Sequence, residues 1–274
     1  IDSGIKDLFE IITSSKDKVA VLYPTYAMYE VYSKIYNVNL IKIKLNKNFD
    51  FDLNDVKKIL NKKPKIFFLP NPNQPIEINL SINKIEMIAQ ECIKNNCFLV
   101  VDEAYHYFGS SSAIKLINKY KNLIILRTFS KAFGVPSIRL GYLISNEDNM
   151  NILNKTRIAH ESNSLSIAVA DYLIDNFANI EKQCLEIVKT RKYLQKELLK
   201  FDIKSRGIKG NFLLLIFKNS TEASKVVKKL LLNKIYVKGP WQKPWNNAVT
   251  ITIGSKKKMD IFLNNIKKIR KINS

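Results

Sequence analysis

Six apolar runs of strand length, separated by helix-length amphipathic stretches, restrict the fold of residues 1–146 more than any other feature of this chain. The runs are "KVAVLY" (18–23), "NLIKIKL" (39–45), "KIFFLP" (65–70), "CFLVV" (97–101), "NLIIL" (122–126) and "LGYLI" (140–144). Between them lie patterns such as "SINKIEMIAQECIKNN" (81–96). Runs apolar along their whole length suit strands buried on both faces, and a helical spacer is what a parallel neighbour requires. The spacing therefore predicts an α/β fold: a mostly parallel central sheet with helices on both faces. Sheets of this kind bind ligands at the carboxyl ends of their strands.

Residues 164–200 carry a long helical pattern without an internal proline, and the rhythm then changes to short strands at 211–217, 235–238 and 249–254. This predicts a large domain over 1–202 and a smaller C-terminal α+β domain over 203–274. The chain opens at Ile1 within a helix-start pattern, so the reading expects further sequence, including an N-terminal segment of the protein, upstream of it.

Composition narrows the function classes. The formal net charge is +21, but the lysines are spread along helical patterns such as "DVKKILNKKPK" and "EIVKTRKYLQKELLK" instead of gathering beside aromatics. Solvated helix faces explain them better than a nucleic-acid surface, and no nucleic acid is expected as a partner. No apolar run is long enough to span a bilayer. Three cysteines, an odd number without zinc-like spacing, suit reduced thiols in a cytoplasm, and no metal is expected.

The strand ends carry the chemistry. "PTYAMY" (24–29) follows the first run and offers Tyr26; "NPNQP" (71–75) follows the third, behind Asn71; "DEAY" (102–105) closes the fourth with Asp102 and Tyr105. "RTFSKAFGVPSIRLGY" (127–142) follows the fifth and brings Lys131 with Ser130 and Arg139 close by. An ammonium at the end of a buried sheet is paired, shifted in pKa or covalently engaged, and the sequence reading takes Lys131 to be desolvated there. Taken singly, each residue has a structural explanation: Asp102 as a helix cap, Tyr26 as packing, the Pro-rich turn as a loop. Four such ends together exceed what structure needs.

These stretches, with "NFLLLIF" and "VTITIG" further on, are similar in order and separation to the pyridoxal-phosphate (PLP) enzymes of aminotransferase fold type I. Within that group the chain resembles the histidinol-phosphate aminotransferase-like branch over essentially its whole length. The resemblance implies that Lys131 holds PLP covalently and later shuttles the substrate proton. It implies that Asp102 pairs with the pyridine nitrogen, that Tyr105 meets the cofactor's phenolic oxygen, and that Tyr26 stacks on the ring. The cofactor phosphate falls to Arg139, Ser130 and Thr128, with the backbone amides of Asp2 and Ser3 at a helix start. A homodimer, with no membrane partner, is also implied.

Departures from the family pattern are local. Its turn usually reads Asn-Pro-Asn-Asn-Pro-Thr-Gly, whereas this chain has "NPNQPIE", so the amide for the phenolic oxygen comes from Gln74, with Asn73 as the alternative. Ser137 stands where the lysine block usually has glycine. The arginine that precedes the "xTxG" strand is Thr250 here, and a second family arginine is Lys238. A substrate anion would then meet Lys238, Lys243 or a residue of the expected upstream segment, and Trp241 and Trp245 bracket the adjoining Pro-rich loop. His106 and His160 are read as packing or surface residues.

Three functions follow from the resemblance. The first is an aminotransferase moving an amino group from glutamate onto a small phosphorylated carbonyl compound. The second is a PLP-dependent decarboxylase of a phosphoamino acid, which needs no carboxylate-clamping arginine. The third is the effector domain of an aminotransferase-like transcription regulator.

Overall fold

A computed structural model describes residues 1–46, 48–156 and 161–271, which form two compact units. His160 lies outside the described residues.

The first unit comprises residues 1–74, 78–106 and 110–180. In chain order it runs α1 (Asp2–Ile12), β1 (Lys18–Tyr23), α2 (Met28–Ile35), β2 (Asn39–Lys44), α3 (Leu53–Leu60), β3 (Ile66–Pro70) and α4 (Ile82–Lys94). It continues with β4 (Phe98–Asp102), β5 (Leu123–Thr128), β6 (Gly141–Ile144), α5 (Glu147–Asn154) and α6 (Ser164–Asp175). The sheet order is β2-β1-β3-β4-β5-β6, parallel throughout except for antiparallel β6. The apolar runs alternate between two buried faces. Val19, Val21, Ile66, Phe68, Val100, Ile124 and Leu126 join Ile5, Leu8 and Phe9 of α1 in one core, while Ala20, Phe67, Leu69, Leu99 and Val101, on the other face, are also buried. Register sets the functional rim: Pro70 pairs with Asp102, and Asp102 with Leu126, so the ends of β3, β4 and β5 lie side by side.

The second unit comprises residues 181–274 with 75–77 and 107–109. Its antiparallel sheet, β7 (Lys204–Arg206), β8 (Phe212–Ile216) and β9 (Ala248–Thr252), is joined by α8 (Ser220–Leu232) and α9 (Lys256–Lys271). The preceding α7 (Phe177–Leu199) starts in the first unit, but Leu194 and Leu198 sit in the second core beside Leu213, Leu215, Val249 and Ile251. That burial draws the division back from the expected 202/203 to 180/181. Glu77 shows why residues 75–77 belong here. Its buried carboxylate accepts the consecutive amides of Ile208, Lys209 and Gly210 at 2.8, 2.7 and 3.0 Å.

Two expectations about elements need correction, and one strand was not foreseen. The helical pattern over 164–200 is two helices, because Asn176 ends α6 by returning both its amides to the Tyr172 carbonyl. "IYVK" is not a strand: only Lys238 bridges to Thr250, after which Gly239, at φ +134, redirects the chain. The short, polar β7 had no apolar run to announce it. Among the described residues no helix is long and apolar enough to cross a membrane, and the three cysteines are buried and free.

Candidate active site

Each run that ends on the rim delivers at least one functional group. β4 ends on Asp102, and the turn after it carries Tyr105. The turn after β5 carries Ser130 and Lys131. The turn after β3 carries Gln74, and the loop between β1 and α2 carries Tyr26. Together with Asp2, Ser3, Thr128 and Arg139 they line a single cavity of about 240 Å³, confined to the first unit.

Asp102 forms the polar floor. It is 5% exposed, and its Oδ1 accepts the Ala104 amide at 2.9 Å while Oδ2 accepts the Tyr29 hydroxyl at 2.7 Å. Burial pushes its pKa up, and those two donors oppose the shift. Two donors leave a carboxylate with further acceptor capacity, enough for one N–H from the cavity. Tyr105 is nearly buried and donates from its hydroxyl to Gln74 Oε1 at 3.0 Å. Its pKa is raised by burial and then by the charge of Asp102, so the phenol stays protonated and able to donate.

Lys131 Nζ lies 5.3 Å from the centroid of the Tyr105 ring. The side chain is exposed, which corrects the desolvated lysine of the sequence reading. The physical reason is its place: three residues beyond β5, it lies in the turn that lines the cavity and not within the sheet. Tyr26 is also partly exposed, with its ring edge-on to Tyr29 at 5.8 Å and its hydroxyl donating to Asp2 Oδ1 at 2.7 Å.

The other end of the cavity is built for an anion. α1 begins at Asp2, so the first-turn amides of Asp2 and Ser3 lack intrahelical acceptors. Arg139 donates to Asp2 Oδ2 at 2.9 Å and to the Pro136 carbonyl at 3.1 Å. Its backbone sits at φ +53, just after the 3-10 turn Pro136–Ile138, which keeps this loop tight with Ser137 in glycine's place. Thr128 Oγ1 accepts the Ser130 amide at 3.1 Å, which folds the turn that presents the Ser130 hydroxyl.

Not every expected residue reaches the cavity. Asn73 is fully buried and spends its side chain on the neighbouring loop: Oδ1 accepts from Thr25 at 2.7 Å and Nδ2 donates to the Pro24 carbonyl at 3.0 Å. Gln74 is the amide that lines the site. Asn71, also buried, exchanges hydrogen bonds with the backbone of Leu80. His106 is no base: its Nδ1 lies 3.0 Å from the Glu103 carbonyl, and burial, helped by Arg127, pushes its pKa down to about 4. In the second unit, Trp241 donates its indole N–H to Thr250 Oγ1 at 2.9 Å, and Lys238 Nζ lies 5.2 Å from the Trp241 ring. Trp245 is buried.

The donor set fits PLP. A carboxylate with spare acceptor capacity suits a protonated ring nitrogen, a phenol–amide pair suits the ring oxygen, and a primary amine suits the aldehyde carbon. Paired amides, a hydroxyl and a guanidinium suit the phosphate.

Comparison with known proteins agrees with this geometry. The model of the family described as aminotransferase class I and II matches residues 2–266. The chain is 33% identical to a histidinol-phosphate aminotransferase of Clostridium novyi (strain NT), over 97% of this chain and 75% of that protein. It is 36% identical to one from Thermoanaerobacter pseudethanolicus, over 92% of this chain and 71% of that protein. The crystal structure of histidinol-phosphate aminotransferase from Sinorhizobium meliloti in complex with pyridoxal-5'-phosphate superposes with a TM-score of 0.91 at 19% identity. That match covers 100% of this chain and 76% of the other.

Proposed function

Because this chain belongs to the aminotransferase class I and II family and is a PLP-dependent aminotransferase, we propose that it moves an amino group between glutamate and a small phosphorylated carbonyl compound. The compound is of the kind named in its relatives, the carbonyl partner of histidinol phosphate. The observation that carries the reading is one cavity joining an amine, a buried carboxylate and an anion site.

Bound PLP supplies the electron sink for the substrate's α-carbon. This chain's residues do the rest. Lys131 would hold the cofactor through its amine, and the same amine would carry the proton lost from that carbon. Asp102 holds the proton on the ring nitrogen. Tyr105 would turn its hydroxyl proton from Gln74 Oε1 to the ring oxygen, and Tyr26 would cover one ring face. Arg139, Ser130, Thr128 and the amides of Asp2 and Ser3 hold the phosphate. In the second unit, Lys238 over Trp241, with Thr250 beside it, is a cation–aromatic group suited to a substrate anion.

We also propose a homodimer. α6 buries Ser166 and Ala170 along one stripe, yet Leu165, Ile167, Tyr172 and Ile174 are exposed on its other sides.

The test supplies the PLP-loaded protein with 2-oxoglutarate and either histidinol phosphate or histidinol. Glutamate should form with a kcat/KM roughly 100-fold higher for the phosphorylated amine, the size expected of a charge-paired phosphate. Equal rates for the two amines would overturn the substrate class. Release of carbon dioxide from phosphoserine without keto-acid formation would overturn amino transfer.

A further inference from the structure

We infer that Tyr29 is a positioning residue for the cofactor's ring nitrogen, acting through the Asp102 carboxylate that it holds from behind. This rests on the PLP reading of the cavity and names a residue in which neither the motif nor the cavity lining contains a reason for interest.

Tyr29 sits in the first turn of α2 and is 0% exposed. Its ring stacks on Phe68 of β3 at 4.7 Å, with planes 20° apart, and meets the edge of Tyr26 at 5.8 Å. That packing fixes where the hydroxyl points, and it points at Asp102 Oδ2, 2.7 Å away. A core needs only the ring at this position, and a phenol in such surroundings requires a partner. The partner is the one carboxylate on the floor of the cavity.

Three consequences follow from the geometry. The hydroxyl uses one acceptor site of Oδ2 as the Ala104 amide uses one of Oδ1, so the remaining capacity of both oxygens is directed away from those donors. A donor to the charged form stabilises the carboxylate against the burial that disfavours it. A less basic Asp102 leaves the shared proton on the ring nitrogen, where the electron sink needs it. Tyr29 does not line the cavity, so its influence passes through Asp102.

The test compares wild type with Tyr29→Phe, which keeps the ring and removes the hydrogen bond. Dissociation constants are measured for PLP and for its 1-deaza analogue, which has carbon in place of the ring nitrogen. For PLP the constant should rise roughly tenfold, as expected for a lost hydrogen bond to a charged group. For the analogue it should change less than about twofold, because the analogue offers Asp102 no N–H. A second readout needs no cofactor: the carboxyl ¹³C resonance of Asp102 should titrate at higher pH in the variant. Equal loss for both ligands, or an unchanged Asp102 titration, overturns the inference and leaves the PLP reading intact. If wild type binds PLP no better than the analogue, the reading of Asp102 fails instead. Should the phenylalanine variant fold poorly, 3-fluorotyrosine at position 29, a stronger donor of the same shape, must lower the Asp102 titration point and tighten PLP binding. No change on that replacement also overturns the inference.

Discussion

Lys131→Ala will lower the turnover number for amino transfer by roughly four orders of magnitude while leaving the fold intact. The activity loss has two sources. The variant lacks the amine that fixes PLP in place, and it lacks the base that carries the substrate proton. Stability should change by less than about 0.5 kcal/mol, because the side chain is exposed and contributes little to the core. Single-turnover absorbance with a saturating amine, set beside a thermal melt, separates the two effects. Lys131→Arg should not recover the activity: a guanidinium stays protonated at any usable pH and cannot act as nucleophile or base. A variant with a few per cent of wild-type activity would mean that another group moves the proton.

The second large effect is structural. Glu103 follows Asp102 in the chain, and its side chain is fully buried. It accepts the Ala113 amide at 2.6 Å, the Ser112 hydroxyl at 2.9 Å and Arg127 Nε at 3.0 Å, with Arg127 Nη2 at 2.9 Å. One carboxylate thus ties the turn after β4, the loop at 112–113 and the carboxyl end of β5. Glu103→Ala removes the counter-charge from a mostly buried guanidinium and strands a buried amide. The expected cost is about 3–5 kcal/mol. For a chain of this size that lowers the melting temperature by roughly 10 °C. Because the turn it holds also carries Tyr105, PLP affinity should fall with stability. The double variant Glu103→Leu with Arg127→Met should recover part of the loss, since the isolated charge goes with its partner. Denaturant unfolding of the three proteins tests this; a single variant as stable as wild type would contradict it.

How much of this could be read from sequence follows from what each residue contacts. The sheet was legible because its strands are buried on both faces and therefore apolar throughout, as "KIFFLP" and "NLIIL" show. Asp102, Tyr105 and Lys131 stood out as polar groups just after such strands, whereas Arg139, well beyond β5, was singled out through the family resemblance. Tyr29 was not. It lies 73 residues from Asp102, and on an amphipathic helix it reads as a packing residue until the register of β3 and β4 brings the two together. The choice between Gln74 and Asn73 was equally hidden, because it depends on which amide the 24–25 loop captures. The exposure of Lys131 was misread for a related reason: a buried strand says nothing of how far the turn beyond it projects. The division near residue 180 escaped because α7 is continuous across it, and only the burial of Leu194 and Leu198 reveals which core the helix serves.

The central claim is that the amine at position 131 is the point of attachment for the vitamin B6 cofactor. Borohydride reduction of the PLP-loaded protein, followed by peptide mass mapping, tests it directly. The account predicts one pyridoxyl group per chain, on the peptide containing Lys131, and none there in Lys131→Ala. A pyridoxyl group on a different lysine, or no reducible adduct in protein that retains PLP, would contradict it.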